Sequence, residues 1–341
     1  MFVRNAWYVA AWDHEIGREM RRRIILNEPV LLYRKGDGTA VALEDRCCHR
    51  QAPLSMGKLV GDDVVCPYHG LQYAANGQCV KVPSQDRVPP GARVCAYPVV
   101  ERNHWIWIWL GDPAKADPAL IEDFHWMDDP HWGFGGSYLH VEANYQLLVE
   151  NLLDTTHLPF LHPTTLGTDA FARSEFEVTI NSDRIEVARW LMDKPPAPFH
   201  QQMGGFPDGM NVDRWQIAHF GAPSFVKLDV GSAPAGSGAR EGDRSKGVNM
   251  WNLNAITPET EKTAHYFYAQ AYNFKLDQKW ISDLVRAQVT KAFLEDMGMI
   301  KEQQINMDLG PSPVVALGQD KAWMQMRQIV DRRLAAEAKA D

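Results

Sequence analysis

Two short loops in the first third of the chain each carry one cysteine and one histidine. The first reads Cys47-x-His49, and after sixteen further residues the second reads Cys66-x-x-His69. Four such side chains can bind one group only if the fold brings both loops to the same point. This requirement constrains the N-terminal third more strongly than any other feature of the sequence.

The donor set of these loops fits two kinds of metal group. Two thiolates and two imidazoles could hold one zinc ion in a tetrahedral site. They also fit a Rieske [2Fe–2S] centre, in which two cysteines bind one iron and two histidines bind the other. Zinc sites mostly use paired C-x-x-C motifs, whereas here each loop supplies one cysteine and one histidine. The interleaved spacing therefore favours the two-iron cluster.

Residues 1–110 are predicted to form short strands. The runs 30–34 and 40–43 flank the turn sequence K-G-D-G, which is typical of a hairpin. Residues 104–110 alternate tryptophan with isoleucine and leucine, and this period of two predicts a strand with its aromatic side chains on one face. We therefore expect the N-terminal third to be a small antiparallel β domain.

A second group of possible metal ligands lies in residues 150–162, E-N-L-L-D-T-T-H-L-P-F-L-H. Asp154 and His157 are three residues apart and would share one face of a helix. Pro159 predicts a bend that swings His162 toward His157. Two imidazoles and a carboxylate from elsewhere would make a 2-His-1-carboxylate iron site. The alternative is that the two histidines satisfy each other in a core.

The missing carboxylate is predicted on a long helix that begins near Trp280, where apolar residues recur every three or four positions. Asp296 falls on the apolar stripe of this helix, where an unpaired charge is costly. Its neighbour Glu295 is rotated by about 100° and is expected to face solvent. Asp296 is therefore the predicted third ligand and Glu295 the alternative. An ordinary ion pair on the helix surface would explain Asp296 without a metal.

The combined pattern, C-x-H-x16-C-x2-H followed by N-x2-D-x2-H-x4-H, resembles that of Rieske non-haem iron oxygenases, in their terminal oxygenase (α) subunits. The similarity extends over nearly the whole chain. It looks like the subgroup that holds vanillate O-demethylase, toluenesulfonate methyl-monooxygenase and dicamba O-demethylase. The motifs that carry this resemblance are F-V-R-N-A-W-Y-V-A-A at the start, D-R-C-C-H-R-Q-A-P-L, N-L-L-D-T-T-H, D-R-W-Q-I at 213–217 and I-T-P-E-T-E at 256–261.

The resemblance implies an α+β chain with an N-terminal all-β Rieske domain at 1–115, a linker at 116–136 and a catalytic domain at 137–341. The catalytic domain would be a helix-grip-like antiparallel sheet with helices that hold mononuclear iron. The Gly, Pro and Asp content of the linker agrees with this division. The implied ligands are Cys47, His49, Cys66 and His69 for the [2Fe–2S] cluster, and His157, His162 and Asp296 for the iron.

The resemblance also implies how the two centres would work together. In a head-to-tail homotrimer, Asp154 would accept hydrogen bonds from His69 of the neighbouring subunit and from His157 of its own chain, and so connect cluster and iron. Asn151 would be a polar neighbour of the iron. The sequence has no G-x-G-x-x-G after a strand and no plant-type ferredoxin motif, so a separate NAD(P)H-dependent reductase with flavin and a ferredoxin-type cluster is expected.

The implied activity is hydroxylation, with O₂, of a methyl or methoxy carbon on a small aromatic acid. This would be O-demethylation of a vanillate-like methoxybenzoate or hydroxylation of an aryl methyl group. The strand residues Lys227, His219 and Asn254 are candidates for contacts with such a substrate. Alternatives are an N-dealkylating or dioxygenating Rieske oxygenase on another aromatic compound and, more remotely, a non-enzymatic Rieske or zinc electron-transfer protein.

Charge and composition limit the remaining partners. The net charge is −8 and no long basic run is present, which argues against nucleic acid and an anionic membrane surface. The N-terminal apolar run is too short for a signal peptide or a membrane span, so a cytoplasmic location is expected. Two polar stretches, 194–211 and 231–247, are predicted to be surface loops.

Overall fold

The computed structural model describes residues 1–339, apart from three side chains, those of Asp169, Ala172 and Lys279. The chain forms two compact units. The first is made of Met1–Ile121 and Thr257–Glu261, and the second is made of Glu122–Ile256 and the chain from Lys262 onward.

The first unit is built from antiparallel sheets. Its strands are β1 (Trp7–Trp12), β2 (Arg21–Ile25), β3 (Glu28–Arg34), β4 (Ala40–Glu44), β5 (Lys58–Val60), β6 (Asp63–Val65), β7 (Gln72–Tyr73), β8 (Cys79–Lys81), β9 (Ala96–Tyr97), β10 (Val99–Arg102) and β11 (Trp105–Trp109). The sheets have the orders β1-β11-β10, β2-β3-β4-β9 and β5-β6-β7-β8. Helical segments within residues 1–121 are single 3-10 turns, so the predicted β domain is confirmed.

Both strand predictions in this unit hold. Strands β3 and β4 form the expected hairpin, in which Arg34 pairs with Ala40. In β11 every residue is buried, including the isoleucines on the face opposite the tryptophans. The Trp109 ring packs edge-on against Trp7 of β1, with ring centroids 5.5 Å apart. The alternation therefore marks a strand that is covered on both faces.

The second unit is an antiparallel sheet with helices packed against it. Its strands are β12 (Gly133–Val141), β13 (Phe176–Asn181), β14 (Arg184–Lys194), β15 (Val212–Gly221), β16 (Phe225–Pro234), β17 (Val248–Thr260) and β18 (Thr263–Tyr272). Their order is β12-β18-β17-β16-β15-β14-β13. Its helices are α1 (Tyr145–Leu153), α2 (Leu158–Leu161), α3 (Asp169–Ala172), α4 (Pro198–Gly204), α5 (Lys279–Asp308) and α6 (Lys321–Glu337).

The histidine segment differs from the helix with a bend at Pro159 that the sequence suggested. Helix α1 ends at Leu153, because Asp154 leaves the helical region with φ −104° and ψ 96°. The Asp154 side chain then caps a 3-10 turn, Thr155–His157. Pro159 lies in the first turn of α2, where its missing N–H leaves no hydrogen bond unmade. The change of direction therefore occurs five residues earlier than expected.

The polar stretch 194–211 is not simply a surface loop. It contains α4, whose Phe199, His200 and Met203 side chains are buried. Pro198 starts this helix, and Gly205, with φ +62°, ends it. The Pro and Gly residues that suggested a loop are thus the start and stop signals of a short helix.

The second polar stretch, 231–247, begins inside strand β16 rather than in a loop. Gly231 is required there, because a Cβ atom would lie 2.1 Å from the Trp215 ring.

The segment 116–136 contains 3-10 turns at Pro118–Leu120 and His125–Met127 and the first residues of β12. Within residues 1–339, no helix combines the length and apolar character that a membrane crossing requires.

Candidate metal centres

The two Cys/His loops have the same backbone structure. In each, the cysteine N–H donates to the carbonyl five residues later, and the residue four positions after the cysteine donates back to the cysteine carbonyl. That fourth residue has a positive φ in both loops, +55° at Gln51 and +73° at Gly70. The bonds are Cys47 N to Ala52 O (2.9 Å), Gln51 N to Cys47 O (2.8 Å), Cys66 N to Leu71 O (2.8 Å) and Gly70 N to Cys66 O (3.1 Å).

These loops bring the predicted donors together in two layers. Cys47 and Cys66 are both buried and in contact. Burial raises the pKa of the Cys66 thiol, and contact with Cys47 adds to the rise against the opposing effect of nearby backbone N–H groups. His49 and His69 are exposed, with ring centroids 4.6 Å apart. Two inner thiols and two outer imidazoles match a cluster whose irons have different ligands.

A single zinc ion fits this arrangement less well. The two thiols are buried and the two imidazoles are exposed, whereas a single tetrahedral ion would need all four donors around one point. Tyr73 places its hydroxyl 3.0 Å from the Cys47 sulfur, where it can donate a hydrogen bond of the kind that tunes cluster potentials.

The second centre, which we call the ligand trio, consists of His157, His162 and Asp296. His157 lies in the 3-10 turn after α1, His162 directly follows α2, and Asp296 lies on α5. The Nε2 atoms of both histidines point to Asp296 Oδ1, at 3.4 Å from His157 and 3.0 Å from His162. Three ligand atoms thus converge on one buried point.

Each histidine of the ligand trio is held by its other ring nitrogen. The His157 Nδ1–H donates to the Asp154 carbonyl oxygen at 2.6 Å, which leaves the Nε2 lone pair for a metal. His162 Nδ1 lies 2.7 Å from Glu295 Oε2. Such partners of metal-binding histidines set the tautomer and the ring orientation.

The electrostatics of the two imidazoles differ. Burial lowers the pKa of His157, although the Asp296 charge acts against this, so the ring is neutral as a metal ligand must be. Burial also acts to lower the pKa of His162, but the hydrogen bonds and charges of Asp296 and Glu295 outweigh it and the pKa is raised. A divalent cation held by His162 Nε2 and Asp296 would replace the proton on that side of the ring, while Nδ1 keeps its contact with Glu295.

Glu295 corrects an expectation, because it does not simply face solvent. Its side chain is 31% exposed, and its carboxylate contacts the His162 ring on the side opposite Asp296. Two consecutive residues of a helix point about 100° apart. They can therefore reach the two nitrogens of one imidazole that is placed between them.

The remaining predicted neighbours of the trio are also close to it. The Asn151 Nδ2–H donates to Asp296 Oδ1 at 3.0 Å. The Asp154 carboxylate accepts from the Thr156 backbone N–H and hydroxyl. The expected bond between His157 and this carboxylate is therefore formed by the Asp154 carbonyl instead, because the side chain is used to cap the turn.

The ligand trio lines a cavity, here called the inner cavity, whose empty space of about 590 Å³ includes open solvent at its mouth. Its polar lining includes His200, Arg214, Gln216 and Asn252, none of which the sequence alone indicates as site residues. Most other lining residues are apolar, which is typical of ligand pockets. They include Leu158, Leu166, Phe199, Val230, Met250 and Phe293.

The substrate candidates chosen from the sequence do not line this cavity. Leu228 lines it, so its neighbour Lys227 lies on the opposite face of β16, where it pairs with Glu122 at 2.7 Å. His219 is paired with Lys227 across the strands and shares that face. Asn254 is fully buried and bonds to the Val226 carbonyl and the Tyr266 hydroxyl. These three residues have structural partners instead.

Together, the fold and the two centres define a Rieske oxygenase. Residues 6–97 match the family model described as Rieske [2Fe-2S] domain, and residues 141–336 match Vanillate O-demethylase oxygenase C-terminal domain. The chain belongs to the Rieske non-haem iron oxygenases that carry this C-terminal domain. The predicted family, fold class and enzyme class are confirmed.

Similar curated proteins cover nearly the full chain. The chain is 45% identical over 343 residues to the toluene-4-sulfonate monooxygenase system iron-sulfur subunit of Comamonas testosteroni, covering 99% of this chain and 98% of that one. It is 40% identical over 304 residues to the dicamba O-demethylase oxygenase component of Stenotrophomonas maltophilia, covering 88% and 87%. It is 35% identical to a vanillate O-demethylase oxygenase subunit of Pseudomonas sp. strain HR199, covering 100% and 97%.

Solved structures agree with these relationships. The crystal structure of dicamba monooxygenase bound to dicamba superposes with a TM-score of 0.89 at 35% identity, covering 99% of each chain. The structure of that enzyme with non-heme iron and dicamba gives 0.84 at 32%, covering 100% of this chain and 99% of the other. The protein is thus an oxygenase component of a multicomponent system, and such a system includes a separate reductase.

Proposed function

We propose that this protein uses O₂ and electrons from a reductase to hydroxylate a methyl or methoxy carbon of a small aromatic acid. The observation that carries the proposal is the convergence of two histidine Nε2 atoms and one aspartate oxygen on the wall of a largely apolar cavity. The relatives named for toluene-4-sulfonate, vanillate and dicamba support an aromatic acid as substrate.

In this proposal Cys47 and Cys66 hold the inner iron of the cluster, and His49 and His69 hold the outer iron. The ligand trio holds the mononuclear iron. The fit is supported by the donor chemistry, since each trio histidine directs an Nε2 atom to one carboxylate oxygen while its Nδ1 is already engaged. When bound, the mononuclear iron supplies O₂ activation and the cluster supplies single electrons.

The protein's own residues would prepare that site. The Asp154 carbonyl and Glu295 orient the imidazoles, and Asn151 orients the Asp296 carboxylate. Apolar side chains of the inner cavity exclude water from the aromatic ring and leave its reactive carbon beside the trio. A methoxy group would become a hemiacetal that releases formaldehyde and a phenol, and an aryl methyl group would become a benzylic alcohol. Each of these hydroxylations consumes one O₂, two electrons and two protons and releases one water.

Electron delivery is the part of the proposal that involves other chains. We infer a homotrimer in which His69 of one subunit meets the Asp154 carboxylate of the next, and the exposed position of His69 supports this. The reductase is proposed to carry flavin and a ferredoxin-type cluster and to oxidise NAD(P)H. The domain limits 1–115 and 137–341 and a cytoplasmic location remain part of this proposal.

The test combines metal analysis with product analysis. Purified protein should be red-brown and hold about three irons per chain, two in the cluster and one in the trio. With a ferredoxin-type reductase and NADH, vanillate should yield formaldehyde, and toluene-4-sulfonate should yield a benzylic alcohol. Colourless, zinc-loaded protein would instead support the electron-transfer or zinc-binding alternative.

A chloroacetanilide belongs in the same panel, because a chloroacetanilide N-alkylformylase oxygenase component is 35% identical. Oxidation of that neutral compound alone would contradict an aromatic acid as substrate.

A further inference from the structure

A buried arginine lies in the wall of the inner cavity without a carboxylate partner. Arg214 is 4% exposed and lines the cavity from strand β15. Its Nη1 donates to the Leu166 carbonyl at 3.2 Å, and its guanidinium stacks over the Phe171 ring. Its Nε–H is buried without any acceptor. Within the part of the chain that the structure describes, no Asp or Glu forms an ion pair with it.

Two other buried or partly buried cations of this protein are paired with carboxylates. Arg23 pairs with Glu15 at 3.0 Å, and Lys227 pairs with Glu122 at 2.7 Å. Arg189 lacks a carboxylate at ion-pair distance, and its Nε–H is also buried without an acceptor. One of its other nitrogens, however, donates to the carbonyls of Phe171 and Ser174 and to the Ser174 hydroxyl. Burying a charge is unfavourable unless it is paired and hydrogen-bonded. Arg214 alone among these cations combines burial, a missing partner and access to a cavity.

The surroundings of Arg214 suit an anion. Strand alternation places Gln216 on the same face of β15, and Ser232 lies opposite Arg214 on β16. His200 bonds to the Ser232 hydroxyl through Nδ1 at 2.9 Å, and burial, reinforced by the Arg214 charge, lowers the pKa of His200 well below its usual value. His200 is therefore neutral. Burial lowers the pKa of Arg214 to about 10, so the guanidinium is still charged at neutral pH.

The position of Arg214 relative to the ligand trio is set by the backbone. The Leu166 carbonyl accepts from Arg214, and the Leu166 N–H donates to the His162 carbonyl at 3.2 Å. One residue thus connects the cation to the loop that carries an iron ligand. A group bound to Arg214 would be held at a defined distance from the trio.

We propose that Arg214 is the receptor for the carboxylate or sulfonate of the substrate and so selects aromatic acids over neutral aromatic compounds. A guanidinium can donate two parallel hydrogen bonds to such an oxyanion, and Gln216 can supply a further donor. The ring then occupies the apolar part of the inner cavity and directs its methyl or methoxy carbon to the trio. This inference rests on the proposed function for the identity of the reacting group.

The test measures binding in the iron-loaded holoenzyme without reductase, so that no turnover occurs. Toluene-4-sulfonate and its neutral counterpart toluene-4-sulfonamide are titrated by calorimetry. Wild type should prefer the sulfonate. R214Q should weaken sulfonate binding by about 10- to 100-fold, as expected for charge-assisted hydrogen bonds, and should change sulfonamide binding by less than about threefold. R214K should lie between, because a lysine keeps the charge and loses the planar fork.

The control is K227Q, which removes the cation on the opposite face of the sheet. It should leave both dissociation constants unchanged. The proposal is overturned if R214Q weakens both ligands equally, or if K227Q has the same effect as R214Q. If R214Q does not fold, the two titrations of the wild-type protein still test the proposal. Equal wild-type affinity for the sulfonate and the sulfonamide would overturn it.

Turnover separates this inference from the proposed function. If the sulfonate binds through Arg214 but no substrate of the panel is oxidised, the anion site stands and the proposed reaction is wrong. If aromatic acids are oxidised while R214Q leaves the preference for anions unchanged, the reaction stands and the role of Arg214 is wrong.

Discussion

Removing the Glu295 carboxylate should weaken iron binding without affecting the cluster. The Glu295 Oε2 atom lies 2.7 Å from the Nδ1 atom of the almost fully buried His162 ring. Charge-assisted hydrogen bonds contribute about 1.5–3 kcal/mol. Because the Glu295 side chain is 31% exposed, solvent screening favours the lower end of this range, so we expect E295A to raise the iron dissociation constant about tenfold. Measured losses of histidine partners in other metal sites, about 10- to 100-fold, agree with this magnitude.

The assay uses the cluster as an internal reference. Iron is removed stepwise with a chelator while iron per chain and the visible absorption of the cluster are recorded. E295A should lose the mononuclear iron at lower chelator concentration and keep an unchanged cluster spectrum. E295Q retains an oxygen acceptor and should lie between wild type and E295A. The matched control is E302Q. Glu302 is an exposed residue of the same helix, so this variant should behave as wild type. Wild-type iron retention in E295A would refute the role of Glu295.

Three further predictions follow from individual contacts. D154N should leave both metals bound, because a backbone carbonyl holds His157, but should slow reductase-driven turnover severely; normal turnover would contradict the bridge between subunits. G231A should destabilise the fold by about 1–3 kcal/mol through overpacking against Trp215, and an unchanged melting temperature would contradict this. Y73F should lower the cluster reduction potential by tens of millivolts, since one lost hydrogen bond is about 1 kcal/mol. An unchanged potential in voltammetry would contradict this prediction.

The sequence alone was sufficient for features that depend on local spacing. Three such features are each determined within a few residues, and the structure forms all of them. They are the Cys/His pairs, the hairpin of β3 and β4, and the alternating tryptophan strand β11. The apolar period of α5 likewise identified Asp296 as a buried carboxylate. Such patterns are readable because backbone geometry repeats every two residues in strands and every 3.6 in helices.

Tertiary structure decided which of two opposite faces meets the inner cavity. Lys227 and His219 were reasonable anion partners by residue type, but the pairing of β15 with β16 turns both away from the trio and turns Arg214 toward it. The only signal in the sequence was the charge of Arg214 on one face of β15. That signal could not be interpreted until this face was known to line the inner cavity. Glu295 likewise gained its role only when α5 packed against His162. The period of a strand or helix separates its faces, but only contacts with elements distant in the chain determine which face is buried.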